Sequence, residues 1–378
     1  MTQQFQLTLV RQKYTPYGGA ERFVSRTLET LSAQGLDIRV MARKWQGDTP
    51  FTVEQCNPFY LGRLSRDSGF GRAVCNRLSK RQGLVQSHER IPCCDIYRAG
   101  DGVHREWLRQ RARLRGKLSE SFSQLSPYHR YTLNAEARLF NSSRLKAVIC
   151  NSAMVQKELQ EWFGMPEKKL PVIHNGVDSN KFHPALRDEY LETIRNQWNI
   201  PLDAPLFLYV GSGFERKGLG PCIEAMKRLN EPSARLLAVG KDRNTGRYKK
   251  LAAKLGVDKQ VIFAGPQNDV RPYYAAADVL LLPTLYDPFP NVVLEGMACG
   301  LPVITSTKSG STDIIEQGVN GYYCDALDSK ALAGFMGELL IPKKRQAVGN
   351  AARATVEPMT LERMAEDYLA LYQRLLQT

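Results

Sequence analysis

With 378 residues, 43% of them hydrophobic, the chain is long enough for two domains with separate cores and too apolar for a disordered polymer. Lys plus Arg outnumber Asp plus Glu by 52 to 38, a formal charge of +14, so an anionic partner is expected: a nucleotide, a phosphorylated acceptor, a membrane surface or nucleic acid. No run approaches the ~18 apolar residues of a membrane span, and residues 1–6 lack the basic and apolar regions of a secretory signal, so a cytoplasmic location with at most peripheral membrane contact is expected.

The chain opens with Gln6-Leu-Thr-Leu-Val10, an apolar run that reads as a strand. A glycine-bearing loop, a helical stretch over about 20–32 closed by Gly35, and a second strand over 37–42 follow. This is a βαβ unit, for which parallel pairing and a right-handed crossover are expected. Further strands are expected over 147–150 and 171–174, a turn at Asn175-Gly176, and a less ordered linker over 178–203. The second half alternates more cleanly, with strands over 206–210, 236–239, 261–263, 279–282 and 303–305 separated by helical segments. The tail from about 358 to 376 reads as a helix with Met364, Tyr368, Leu371 and Leu375 on one face. The fold class is therefore α/β, with two doubly wound domains.

Cysteine usage fits a reducing compartment. Cys56, Cys75, Cys93, Cys94, Cys150, Cys222, Cys299 and Cys324 show no Cys-x-x-Cys pairing, and several lie in apolar runs, so they read as small core residues. The adjacent Cys93 and Cys94 suit neither a simple disulfide framework nor a metal site.

Four segments carry candidate chemistry. In Asp287-Pro-Phe-Pro-Asn-Val-Val-Leu-Glu295 a helix starts between two carboxylates, just past an expected strand. Asp287 then lies where open α/β sheets bind ligands, and the N–H groups near Asn291, Val292 and Val293 favour a phosphate group. Glu295, one turn in, can accept hydrogen bonds from a vicinal diol such as a ribose. Gly211-Ser-Gly-Phe-Glu-Arg-Lys-Gly218 follows another strand, and Arg216 and Lys217 would present two cations to a diphosphate leaving group. Gly18 and Gly19 follow the first strand and let a backbone approach a ligand closely, although a Gly-Gly pair alone also fits a plain tight turn. Asp101, between Gly100 and Gly102, is either a carboxylate presented to a ligand or a turn former; His104 nearby is of a type expected to titrate near neutral pH, while His88, His129, His174 and His183 read as structural or surface residues. Residues 309–312 either line the same ligand cleft or cap a helix.

Residues 98–146 hold eleven basic and four acidic side chains, half of the chain's net charge. Arg105, Arg109, Arg113 and Lys117 recur on one helical face, Trp107, Leu114 and Leu118 on another, and Tyr128 and Tyr131 add amphipathic rings. This is either a solvated basic helix packed on its domain or an interfacial helix on an anionic membrane. No nucleic-acid-binding motif accompanies it.

Taken in order, the Gly18-Gly19 loop, the Asp101 segment, Asn175-Gly176, Arg216-Lys217-Gly218 and the unit from Asp287 to Glu295 resemble the motif series of retaining GT-B glycosyltransferases of the group 1, family 4 type, and within it the lipopolysaccharide-core α-1,3-glucosyltransferases. The resemblance covers essentially the whole chain. It implies two Rossmann-like domains facing across a cleft: an acceptor-binding domain over 1–180, a nucleotide-sugar-binding domain over 181–357, and a last helix over 358–378 crossing back. It implies a hexose, glucose, moved from UDP-glucose to a heptose of a lipid-linked core oligosaccharide, with no metal or cofactor. Carried onto these positions, Asp101, Lys217 and Asp287 are the catalytic candidates. Gly18, Gly19, Arg216, Lys217, Asp287, Phe289, Pro290, Asn291, Val292 and Glu295 hold the donor, and residues 265–270 meet the base. Asp287 stands where the family usually has Glu, one methylene longer. Rival classes are a nucleotide-sugar 2-epimerase on the same architecture, another glycosyltransferase of this family with a different donor or acceptor, and a non-enzymatic basic binding protein.

Overall fold

The computed structural model describes residues 6–14, 31–32, 36–46, 51–79, 83–115 and 126–377. The chain divides into two units, one built from residues 1–175 with 361–378 and the other from residues 176–360.

The first unit holds a parallel sheet of β1 (Gln6–Lys13), β2 (Asp37–Lys44), β3 (Thr52–Gln55), β4 (Leu84–Ser87), β5 (Ile96–Arg98) and β6 (Ala147–Ile149), in the order β3-β2-β1-β4-β5-β6. The second repeats that order with β7 (Leu206–Val210), β8 (Arg235–Val239), β9 (Val261–Gly265), β10 (Val279–Leu281), β11 (Val303–Ser306) and β12 (Tyr322–Cys324), arranged β12-β11-β10-β7-β8-β9. Both are the doubly wound order, in which the strand order reverses beside the first strand and a crevice opens there. Central strands are covered on both faces, which explains the unbroken apolar run of β7 and its complete burial.

Several sequence expectations need correction. Residues 171–174 form only an isolated bridge, Val172 to Cys150, because Pro171 removes a ladder donor. The expected linker contains the helix Leu186–Gln197, whose Leu186, Ile194 and Arg195 are buried. Charged residues hide it in the sequence, yet Arg195 is fixed by Asp278 Oδ2 at 2.9 Å and by the carbonyls of Ala204 at 2.8 Å and Ala276 at 3.1 Å. Strands β3, β4, β5 and β12 are absent from the sequence expectations because their three or four residues mix polar or aromatic side chains into the segment and give no clean aliphatic run. Cys75 and Cys93 form a disulfide, with Cα atoms 5.6 Å apart. The helix Gly62–Leu78 carries Cys75 against the loop between β4 and β5, a contact that local spacing cannot reveal. The remaining cysteines are free; Cys324 is half-buried and the others are buried.

The last helix, Leu361–Leu376, buries Leu361, Met364, Ala365, Tyr368, Leu371, Tyr372 and Leu375, and these join Leu7, Leu9, Val40 and Ile96 in one core cluster of the first unit. Its polar anchors are Tyr372, whose hydroxyl donates to Gln86 Oε1 at 2.7 Å, and Tyr368, which accepts from buried Arg98 Nε at 2.9 Å. Among the described residues, no helix is long and apolar enough to cross a membrane.

Candidate active site

In the second unit the reversal point lies between β7 and β10, and the loops leaving those two strands carry the expected site residues. After β7, Gly213 and Gly218 adopt left-handed backbone and bracket one helical turn, Phe214–Lys217. Gly218 has φ +81°, and a Cβ there would lie 1.9 Å from the carbonyl oxygen of Pro283, so only glycine lets the β7 loop press against the β10 loop. Leu285 N and Thr284 Oγ1 both donate to Arg216 O, at 2.8 and 2.9 Å, and lock the two loops together.

That junction brings residues seventy positions apart into contact. Arg216 Nη1 lies 3.0 Å from Asp287 Oδ2, and Lys217 Nζ donates to the same oxygen. The backbone of Asp287 is pinned as well: its N–H donates to Lys308 O at 2.9 Å and its carbonyl accepts from Gly310 N at 2.8 Å. Burial by itself would raise the Asp287 pKa; Lys217 and then Arg216 outweigh it and hold the carboxyl below its usual range. Lys217 is also lowered, because burial and the neighbouring Arg216 exceed the help from Asp287. We take the triad as one carboxylate and two cations at neutral pH, an excess of one positive charge at the mouth of the crevice.

The helix Asn291–Ala298 starts beside this cluster, with Pro290 as N-cap and no cap bond from that residue's side chain. Pro290 and Phe289 are buried, and Asn291 and Val292 are half-buried. Glu295 accepts from the hydroxyl of buried Tyr274 at 2.8 Å, which fixes one of its carboxylate oxygens. Tyr274 was not anticipated; the only signal was an aromatic pair, Tyr273-Tyr274, ahead of β10. Residues Gly310–Asp313 form a short turn in which Thr312 Oγ1 donates to Ser309 O at 2.9 Å, and Ser309 at its start makes no side-chain cap bond.

The other candidates belong to the first unit. Gly18, Gly19 and most of the expected helix over 20–32 lie outside the described residues, as do Lys117 and Leu118. Asp101 is 80% exposed, with Arg90 Nη1 3.8 Å away. Arg90 in turn donates to buried Glu136 at 2.9 Å, which also accepts from His104 N at 2.8 Å. His104 Nε2 lies 3.0 Å from His129 Nδ1; burial, then Arg90, His129 and Arg63, bring its pKa down to about 3. A second polar group sits at this unit's own reversal point: Arg11 Nη1 is 3.2 Å from His88 Nδ1, and Gln12 N donates to Glu89 Oε1 at 2.9 Å. The sequence offered only a His-Glu pair after an apolar run. On the helix His104–Arg115, Arg105, Arg109 and Arg113 are exposed, whereas Glu106, Leu108 and Gln110 are buried, Trp107 is half-buried and Leu114 is exposed. The basic stripe is solvated; of the expected apolar face Trp107 is half-buried, Leu114 is exposed and Leu118 lies outside the described residues, while the buried Glu106, Leu108 and Gln110 flank the stripe.

Two doubly wound α/β units, one with cations and a helix start at its reversal point, define a GT-B glycosyltransferase. Residues 191–355 match the model of glycosyl transferases group 1 and residues 17–181 that of glycosyltransferase family 4. The chain is 37% identical over 323 residues to the lipopolysaccharide core biosynthesis glycosyltransferase LpsE of Rhizobium meliloti (strain 1021), covering 84% of each chain. It is 28% identical over 304 residues to the lipopolysaccharide glucosyltransferase WaaG of Escherichia coli (strain K12), covering 79% of each. The crystal structure of WaaG, a glycosyltransferase involved in lipopolysaccharide biosynthesis, superposes with a TM-score of 0.82 at 26% identity, over 97% of this chain and 99% of that one. The chain belongs to the group 1, family 4 glycosyltransferases.

Proposed function

We propose that this glycosyltransferase moves glucose from UDP-glucose, with retention of anomeric configuration, to a heptose of the lipid-linked lipopolysaccharide core. The names of its relatives LpsE and WaaG support a lipopolysaccharide-core product and glucose as the sugar; the heptose rests on the motif resemblance. The observation that carries the donor reading is the convergence of Arg216 and Lys217 on Asp287 beside the helix start at Asn291.

In this reading the nucleotide lies over the carboxyl edge of the second sheet. Glu295, oriented by Tyr274, accepts from the ribose hydroxyls. The diphosphate takes the N–H groups of Asn291 and Val292 and the charges of Arg216 and Lys217, which Asp287 holds in place. As the bond from the anomeric carbon to the diphosphate oxygen breaks, charge builds on that oxygen and the two cations stabilise it without a metal partner. The acceptor hydroxyl attacks from the same face, its oxygen bonds to the anomeric carbon, and its proton passes to the departing phosphate, giving UDP and the α-glycoside. Asp101 is the first unit's candidate at the reacting sugar, and the exposed stripe of Arg105, Arg109 and Arg113 is its candidate for anionic lipid.

The test pairs thermal stabilisation across UDP, GDP, ADP, dTDP and their sugars with UDP release from UDP-glucose in the presence of lipid A–core acceptor. Selective stabilisation by the uridine ligands, acceptor-dependent release and an α-linked product by NMR are expected. Release that ignores acceptor points to the 2-epimerase class instead, and failure of every nucleotide to raise the melting point defeats the proposal.

A further inference from the structure

Among the described residues nine large hydrophobic side chains are exposed, and four of them, Phe59, Tyr60, Leu61 and Leu64, fall within six positions of the first unit. Phe59 is 86% and Leu61 78% exposed. The other five are scattered singly along the chain, the ordinary condition of a protein surface, whereas a contiguous patch marks an interaction site. The patch forms the approach to the helix Gly62–Leu78, which buries Phe70, Val74 and Leu78 on its inner side. The inner side explains the packing of the helix and leaves its first turn unexplained.

The charge around the patch is mainly positive, with Arg66 paired to Asp67 at 2.7 Å. The helix carries Arg63, Arg66, Arg72 and Arg77 against Asp67 alone, has no acidic residue in its first turn, and has no side-chain cap at Leu61. Its positive dipole end therefore coincides with arginines and with the apolar tip, a combination that water and a helix alone do not favour. Arg43 lies 4.4 Å from the centroid of the Tyr60 ring, and Arg63 3.8 Å from that of Tyr128. Tyr128 opens the helix Pro127–Phe140, so the patch is continuous with the basic 98–146 region.

We infer that Phe59, Leu61 and Leu64 insert into an anionic lipid bilayer, with Arg43 and Arg63 on the phosphates above them. A bilayer surface presents hydrocarbon directly beneath a layer of negative charge, and an apolar loop tip ringed by arginine, with a tyrosine at the boundary, matches both layers at once. This places a membrane contact at the approach of the helix Gly62–Leu78, in addition to the exposed stripe of Arg105, Arg109 and Arg113. The inference does not depend on which donor or acceptor the enzyme uses.

The test is co-sedimentation of the full chain with vesicles containing phosphatidylglycerol and with vesicles of pure phosphatidylcholine. The wild type is expected to favour the anionic vesicles, and the double variant Phe59→Ser with Leu61→Ser to bind them at least about ten-fold more weakly. Both side chains are exposed, so its melting temperature and its stabilisation by UDP should match the wild type, and a failure of the donor proposal would leave the lipid result standing. In a second variant, Phe59→Trp, the added fluorescence should shift to the blue on anionic vesicles. Equal lipid binding by the double variant, no binding by the wild type, or a patch-dependent dimer or complex with an acidic protein in place of lipid binding would each overturn it.

Discussion

Replacing Lys217 by Ala tests the centre of the proposed mechanism. The side chain is buried, its stem runs along Gly211, where a Cβ would come within 3.3 Å of Lys217 Cγ, and its ammonium meets Asp287. Breaking a buried pair outright costs roughly 3–5 kcal/mol. Here Arg216 still holds Asp287 Oδ2 at 3.0 Å, although its own side chain is 40% exposed, so a loss of about 2 kcal/mol is expected. For a unit of this size that lowers the melting temperature by about 4–8 °C, which leaves the fold intact at assay temperature. The catalytic cost is larger. One fixed charge facing a developing anion contributes about 3–4 kcal/mol, so kcat should fall about 10²- to 10³-fold while the variant remains folded. The assay is UDP release under saturating donor and acceptor, with circular dichroism and a melting curve on the same preparation. Turnover within a few-fold of wild type would refute the assignment of Lys217 to the leaving group and with it the electrostatic account of the site.

Two further outcomes follow from the geometry. Gly218→Ala places a methyl group into Pro283 O and forces a left-handed backbone on Ala, about 1–2 kcal/mol before any clash, so a melting temperature at least about 4 °C lower and severe loss of turnover are expected; an active, fully stable variant would mean the two loops need not touch. Protonation should also weaken the first unit in mild acid. His104 stays neutral in the fold down to about pH 3, while in the unfolded chain it takes up a proton below its ordinary 6.5. The unfolded state then binds more protons, and stability drops by about 1.4 kcal/mol per pH unit below 6.5 for such a group. His88, lowered by burial and then by Arg11 and Arg98, acts in the same direction. Denaturant midpoints measured from neutral pH to about pH 5 should show at least this slope, and His104→Gln should make it shallower while His88 keeps its share; an unchanged slope removes His104 from the account.

Much of the fold was legible because its signals are local. The apolar runs of β1, β2 and β7 to β11, punctuated by glycine and separated by helical periods, need only neighbouring residues to be read. The order of the motifs along the chain likewise sufficed to recognise the family. What escaped the sequence depends on partners far away. Gln86 and Ser87 look polar, yet they lie in a buried strand because Tyr372, from the last helix, hydrogen-bonds Gln86. Arg195 looks like a solvent residue, yet it is almost fully buried because Asp278 and three carbonyls of the 201–204 turn surround its guanidinium.

The site divides in the same way. Sequence alone determined that Arg216, Lys217, Asp287 and Glu295 each follow a strand and sit at or near a helix start, which is enough to nominate them for an anionic ligand. Only the tertiary structure decided that Arg216 and Lys217 meet on Asp287 and that Tyr274 holds Glu295. Those contacts exist because β7 and β10 are neighbours across the point where the strand order reverses, and because a glycine at 218 lets their loops touch. No local pattern encodes which strands become neighbours; that is fixed when the whole sheet closes over its core.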